Sequence, residues 1–164
     1  MIIGLFIVNI NPPYDWHVPQ NDTLWHTLTG ENNPCPSGWH IPSFCEWEFA
    51  TTNWENRYDA FNSPLKLPSA GLRDGLTGYM FEQGLNGNYW SSAPESTNSK
   101  FIYFDINHAN YQSGNRTFGL SVRCIKDELI SIPNNPFPLD ASVIQTKNIT
   151  LSWSCFDPDC DILY

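Results

Sequence analysis

Cys35-Pro36-Ser37-Gly38-Trp39-His40-Ile41-Pro42-Ser43 is the stretch on which the reading of this chain turns. A cysteine precedes a glycine turn, a short aromatic and apolar step reads as a strand, and Pro42 closes that strand just before a helix start. The start itself is specified. Ser43-Phe44-Cys45-Glu46 matches a capping box, in which the Ser43 hydroxyl accepts from the Glu46 amide and the Glu46 side chain reaches back. Trp47 follows Ser43, and Ala50 follows Trp47, at helical spacing, so the helix is predicted to run to about residue 53. Far along the chain, Phe118-Gly119-Leu120-Ser121-Val122-Arg123-Cys124 again sets a cysteine beside aromatic and β-branched residues and a glycine.

Working outward, residues 4–10 read as a strand that Pro12-Pro13 ends. Residues 14–34 are polar and aromatic, a loop with one short helical turn near 22–27. Residues 53–62 are loop or a second helical turn. From 65 to 124 the pattern becomes β. Leu65-Lys66-Leu67 alternates until Pro68, Ser69-Ala70-Gly71-Leu72-Arg73 is a short strand, and Asp74-Gly75 is a turn. Asn86-Gly87-Asn88 turns into Tyr89-Trp90-Ser91-Ser92, and Phe101-Ile102-Tyr103-Phe104-Asp105-Ile106 is the best strand. Residues 107–117 read as an Asn/Gly-rich connection, and 118–125 as the last strand. A helical part followed by a run of short antiparallel strands predicts an α+β fold. Pro133, Pro136 and Pro138 make residues 128–142 a linker. Ile149-Thr150-Leu151-Ser152-Trp153-Ser154 then alternates as a β-sandwich strand does, ten residues before the last. The expected organisation is thus a domain over 1–127, a Pro-rich linker over 128–142 and an incomplete β-sandwich segment over 143–164.

Composition narrows the partners. Of 164 residues, 41% are apolar, enough for a core, while only 15% are charged, so Asn, Ser, Thr and Gln must supply most of the polar surface. Seven Trp, seven Tyr and ten Phe offer large flat contact areas, for a core or for a binding surface. The net charge is −9 and no basic run exists, which argues against nucleic acid and anionic membranes as partners. The apolar start, Met1-Ile2-Ile3-Gly4-Leu5-Phe6-Ile7-Val8, has no preceding Lys or Arg and no small-residue cleavage site, so it reads as part of the fold. It is also too short to span a bilayer, and no membrane insertion is expected. An export address, on this reading, lies outside the chain.

Candidate chemistry is sparse. The five cysteines fit an oxidising compartment but form no zinc spacing. Cys155 and Cys160 flank a turn and can pair locally, and Cys45 on the helix is then a small buried hydrophobe. His17, His26, His40 and His108 join no cluster at metal spacing, and His40 is expected to pack or hydrogen-bond locally. Asp157, Asp159 and Asp161 alternate as in some calcium loops, but without the EF-hand pattern a solvated acidic turn is the expectation, with no metal or cofactor. The residues best suited to recognition are Asn107, His108, Asn110, Tyr111, Gln112, Asn115 and Arg116. Their amides donate and accept, and the tyrosine adds flat contact area. Trp54 and Tyr58 join the same face or cap the core.

Several stretches fall in the order and spacing of one family. They are Asn33-Pro34-Cys35-Pro36-Ser37-Gly38-Trp39-His40-Ile41-Pro42, the Glu46-Trp47-Glu48 helix, Ser63 through Arg73, Tyr89-Trp90-Ser91-Ser92, and Phe118 through Cys124; ahead of them, Pro13-Tyr14-Asp15-Trp16 and Pro19-Gln20-Asn21-Asp22-Thr23-Leu24-Trp25 resemble the segment that precedes this core in many members. Over about residues 6–127 the chain resembles the Fibrobacter succinogenes major paralogous domain. Segment 151–161 resembles the opening of a fibronectin-III or immunoglobulin-like repeat. The resemblance implies a C-type-lectin-like, formylglycine-generating-enzyme-like fold that lacks its first strands, and a disulfide between Cys35 and Cys124. It also implies an exported bacterial protein, extracellular or on the cell surface. The expected function is a non-catalytic binding or adhesion module for a glycan or surface protein. One rival is a carbohydrate-binding module of a polysaccharide-degrading system. The other, an enzyme of the formylglycine-generating type, is disfavoured because no paired active-site cysteines are recognisable. The Glu-Pro-Asn, Gln-Pro-Asp and Trp-Asn-Asp motifs of calcium-dependent sugar binding are absent too.

Overall fold

The structure is a computed structural model and describes residues 6–25, 32–127, 134–137 and 152–154, the last two segments by their backbone alone. The chain divides into two compact units, Met1–Asp127 and Glu128–Tyr164.

The first unit is α+β. Its elements are β1 (Trp39–His40), α1 (Phe44–Thr51), α2 (Arg57–Asn62), β2 (Leu72–Arg73), β3 (Met80–Phe81), β4 (Gly87–Glu95), β5 (Asn98–Phe104), β6 (Ala109–Asn115) and β7 (Ile125–Lys126). β4, β5 and β6 form one antiparallel sheet in that order, and β1–β7 and β2–β3 are separate antiparallel pairs. No helix among the described residues is long and apolar enough to cross a membrane.

The capping box forms as read: the Ser43 side chain accepts from the Glu46 amide, and the Glu46 side chain accepts from the Ser43 amide. α2 has a second box, built by Asn56 and Asp59. Trp47 is the residue that α1 buries, whereas Ala50, expected on the same face, is exposed.

Register explains the core. Ile102 lies opposite Tyr89 and Tyr111, and Phe104 opposite Gly87 and Ala109, so these residues share the sheet face toward α1. There Trp47, Ala60, Leu67, Tyr89, Ile102 and Phe104 close into one buried cluster, each large member contributing about 1.5–3 kcal/mol by burial. Gly87 is required, because a Cβ there would lie 2.1 Å from the Phe104 ring. On the opposite face Phe101 meets Trp90 edge-on, with ring centroids 5.6 Å apart.

The ends of the unit are joined. Cys35 and Cys124 form a disulfide across a separation of 89 residues, which the chain-entropy argument values at about 4–5 kcal/mol. Beside it β1 pairs with β7, Trp39 opposite Lys126 and His40 opposite Ile125.

Several expectations are corrected. Residues 107–117 are not a connection: β6 pairs with β5 over seven residues, from Asn98 opposite Asn115 to Phe104 opposite Ala109. Its Asn, Gln and Gly are poor strand formers by themselves, but the complete hydrogen-bonding edge of β5 overrides that preference. The predicted strand over 4–10 does not form in its described part, 6–10, where Asn9 N donates to Gly75 O with no neighbouring strand edge to continue a ladder. Residues 65–67 instead follow α2 as a turn, with Lys66 at φ 52° and Leu67 N donating to Ala60 O. Of the strand predicted over 118–125 only Ile125 lies in a β-strand, although Gly119 and Ser121 make isolated bridges to Arg73 and Tyr89.

In the second unit, β8 (Asn134–Phe137) pairs antiparallel with β9 (Ser152–Ser154). Residues 134–137 were expected in the linker. Pro136, which has no N–H to donate, sits where the register shifts between Asn134 and Phe137, as proline in a two-stranded sheet requires. Cys155, Cys160, His26 and the aspartates at 157, 159 and 161 lie outside the described residues.

Candidate functional site: a tryptophan-walled cleft beside β4

The antiparallel pairing of β4 with β5 breaks register between Trp90 and Pro94. Such a bulge re-aims side chains out of the regular alternation. Ser91, Ser92 and Pro94 fall in or beside it, and all three line a cleft of about 300 Å³. Trp90 and Ser99 extend the sheet side of this cleft. The opposite wall comes from the early loop, with Trp16, Leu24 and Trp25 as its apolar members. Three indoles, a leucine and a proline thus line it together with nine polar residues, a mixture of apolar wall and polar groups that suits a small-molecule site.

Arg116, just after β6, fixes that wall to the sheet. Its Nε donates to Asn98 O at 3.1 Å; Nη1 donates to Asp15 Oδ2 and Asn21 O, both at 3.5 Å; Nη2 donates to Asp22 Oδ1 at 2.6 Å and Ser96 O at 3.1 Å. A guanidinium has five N–H donors, and five acceptors meet it here. Gln20 reinforces the join through Asp22 Oδ1 at 2.9 Å and Ser96 O at 2.6 Å. Gln20 and then Arg116 hold the Asp22 carboxyl below the usual carboxylate range. Asp15 is nearly buried, its Oδ1 accepting from the His17 amide at 2.9 Å.

Asn21 Oδ1 accepts from Thr23 N at 2.9 Å and from Thr23 Oγ1 at 2.8 Å, and His17 Nδ1 meets Pro19 O. Three further polar groups of the cleft are uncommitted. The side chains of Ser92, Ser99 and Asn32 make no hydrogen bond to another described residue, whereas the Ser91 hydroxyl is spent on Lys100 O at 2.9 Å.

Of the residues proposed for recognition from the sequence, only Arg116 reaches this cleft; His17, set aside there as joining no metal cluster, lines it too. Asn107 and His108 lie in the β5–β6 turn, where both amides donate to Asp105 Oδ1 at 2.7 Å. Asn110 and Gln112 share one face of β6, 3.4 Å apart. Tyr111 faces the other way, edge-on to Phe44 with its hydroxyl 2.6 Å from Thr51 Oγ1. Asn115 ends β6 opposite Asn98. Trp54 packs edge-on against Phe104 in the core, and Tyr58 is exposed under the Arg57 guanidinium. The residues not proposed for recognition from the sequence, Asp15, Trp16, Asn21, Asp22 and Trp25, belong to the segment read as polar, aromatic loop with one short helical turn and as resembling the stretch ahead of the family's core. Their density of indoles and carboxylates was the available signal.

A second polar cluster lies at the disulfide end. His40 is 5% exposed. Its Nδ1 is 2.7 Å from Asp127 Oδ1, and its Nε2 is 2.9 Å and 3.1 Å from the two Glu46 oxygens. Burial alone would lower its pKa, but the hydrogen bonds and charges of Glu46 and Asp127 outweigh burial and raise it to about 9. The ring is thus an imidazolium at neutral pH with both nitrogens donating. It has no free lone pair for proton transfer, so the arrangement is a clamp rather than a general base. Among the described residues no group of three or more His, Cys, Asp or Glu is placed to hold a metal. Cys45, expected as a buried free thiol, is instead disulfide-bonded, as are Cys35 and Cys124.

No protein-family model, no curated protein and no solved structure matches the chain.

Proposed function

We propose that this chain is a non-catalytic binding module of C-type-lectin-like fold, working outside the cell or on a bacterial surface, and that it recognises its partner through the cleft beside β4. The observation that carries this reading is the cleft itself: three indoles around uncommitted serine and asparagine side chains, with its outer wall fastened by Arg116. A binding site needs preorganised contact area, and the Arg116 junction supplies it before any ligand arrives. The partner is a glycan or a side chain of a surface protein, both of which offer a small amphipathic group. The absence of a free thiol among the described residues and the doubly occupied His40 ring argue against a formylglycine-generating activity.

The test is mapping by NMR on the full chain. Indole and backbone amide signals are followed while neutral sugars, quaternary ammonium salts, carboxylates and short peptides are added. Shifts concentrated on the indoles of Trp16, Trp25 and Trp90 are expected. Shifts confined to the β5–β6 turn would move the site there, and no shift with any class would leave a structural spacer.

A further inference from the structure

We propose, building on the reading of the cleft as a binding site, that its ligand is an uncharged pyranose residue of a glycan. Four observations converge on that class.

The first is charge. A site for an anion needs spare cationic donors, and the arginine lining this cleft has none: all five Arg116 N–H groups meet protein acceptors, while the other basic side chain of the lining, His17, has its Nδ1 against Pro19 O. The two lining carboxylates, Asp15 and Asp22, would also repel an anion. Uronates, sialic acids, phosphates and peptide carboxylates are therefore rejected.

The second is the reverse case. A quaternary ammonium group prefers aromatic faces next to an uncompensated carboxylate. Here both carboxylates share the Arg116 guanidinium, and Asp15 is nearly buried as well. One guanidinium offsets only one of the two carboxylate charges, so the pull on a cation is weakened, and choline is the comparator that tests it.

The third is the pairing of flat apolar walls with free hydroxyl and amide groups. Trp16 and Trp25 offer partly exposed rings that lose little conformational entropy on contact, Trp90 lies nearly buried behind them in the sheet, and Ser92, Ser99 and Asn32 can donate and accept. A pyranose has the complementary shape, with a C–H face for an indole and a rim of hydroxyls that donate and accept. A purely apolar side chain would leave those three polar groups buried without partners, at a cost.

The fourth is size. At about 300 Å³ the cleft is at the small end of ligand sites. It suits one or two sugar rings rather than a long segment of polymer.

The experiment titrates the full chain, following indole fluorescence and calorimetry, with neutral tetrasaccharides (β-1,4-gluco, β-1,4-xylo, β-1,4-manno and α-1,4-gluco). Tetragalacturonate and choline are the charged comparators. At least one neutral saccharide is expected to bind with a Kd below about 1 mM. That affinity should change less than about twofold between low and high salt, because no net charge is exchanged. Trp25→Ala should weaken it about tenfold and Trp25→Phe about threefold, following the loss of ring area. The joint Ser92→Ala and Ser99→Ala variant should weaken it about threefold to tenfold. Choline or tetragalacturonate binding at the indoles while every neutral saccharide is inert would overturn the sugar class and leave the binding-site reading standing. Indoles that respond to none of the probes would overturn both.

Discussion

Two cations, one buried and one half-buried, hold this domain together, and they do so by opposite means. At the disulfide end His40 is clamped between Glu46 and Asp127. At the cleft end Arg116 gathers three backbone carbonyls and two carboxylates from the early loop and the β4–β5 turn. The histidine acquires its charge from its site, since an imidazole with an ordinary pKa would be mostly neutral at pH 7. The arginine has its charge anywhere and brings a rigid donor fork. One junction is therefore titratable and serves only the scaffold; the other is permanent and shapes the surface proposed to bind. The two should differ in experiment: damage to the first costs stability alone, while damage to the second costs recognition beyond its smaller loss of stability.

The largest expected effect is at the first. His40→Ala leaves the Glu46 and Asp127 carboxylates facing each other with no cation between them. Breaking a buried ion pair from one side costs about 3–5 kcal/mol, to be read as a lower urea midpoint at pH 7 with the disulfides intact. A loss under about 1 kcal/mol, the range of an exposed ion pair, would show that solvent already screens the clamp.

The same histidine predicts a pH dependence. Its folded pKa of about 9 lies above the ordinary value of 6.5. The folded state thus keeps a proton that the unfolded chain releases, and the stabilisation is complete below about pH 6.5 and lost as pH rises through about 9. The full span is at most about 3 to 4 kcal/mol, since each tenfold gain in proton affinity on folding is worth roughly 1.4 kcal/mol. Unfolding titrations across this window should show the decline in the native chain and in an Arg116 variant, and lose it in His40→Ala. An identical slope in the His40 variant would place the titrating group elsewhere.

The same contrast describes what could be read from sequence. The disulfide end was legible because its instructions are local: Ser43 and Glu46 are three residues apart, and the proline, glycine and cysteine punctuation around them has few readings. What escaped was the long-range partner, since nothing in Trp39-His40-Ile41 announces that Asp127, 87 residues on, will meet the ring. At the cleft the balance reverses. Arg116 was singled out, but among neighbours that β6 sends to different faces, because a run of Asn, Gln and Gly reads as loop until a strong strand pairs with it. The indoles and carboxylates of residues 15–25 have no period at all. Their arrangement is set by Arg116, 94 residues from Asp22 and 101 from Asp15, and only the folded chain shows it.

Arg116→Lys tests the fork itself. An ammonium has three donors and no planar geometry, so at least two of the five acceptors lose their partner. Stability should fall by about 1–2 kcal/mol, less than at His40, while affinity for a ligand of the cleft falls more than the stability loss alone would suggest, because residues 15–25 are no longer held against the β4–β5 turn. Unchanged affinity with reduced stability would make Arg116 a scaffold residue like His40 and remove the distinction between the two ends.

The smallest effect concerns the neighbour of that arginine and has the opposite sign. Thr117 is fully buried, and its Oγ1 is the buried side-chain atom that finds no hydrogen-bond partner among the described residues. Its backbone is satisfied, Thr117 N donating to Tyr14 O at 3.1 Å, so the hydroxyl is held inside by packing and by the chain on either side. An unpaired buried hydroxyl is a net cost, and Thr117→Val replaces it with a methyl of nearly the same volume. The variant should be as stable as the native chain or more stable by up to about 1 kcal/mol, with cleft affinity unchanged, because no contact of Arg116 is touched. A loss of stability would reveal a partner for the hydroxyl, such as a trapped water, and the polar network around Arg116 would then extend inward through Thr117 rather than stop at the arginine.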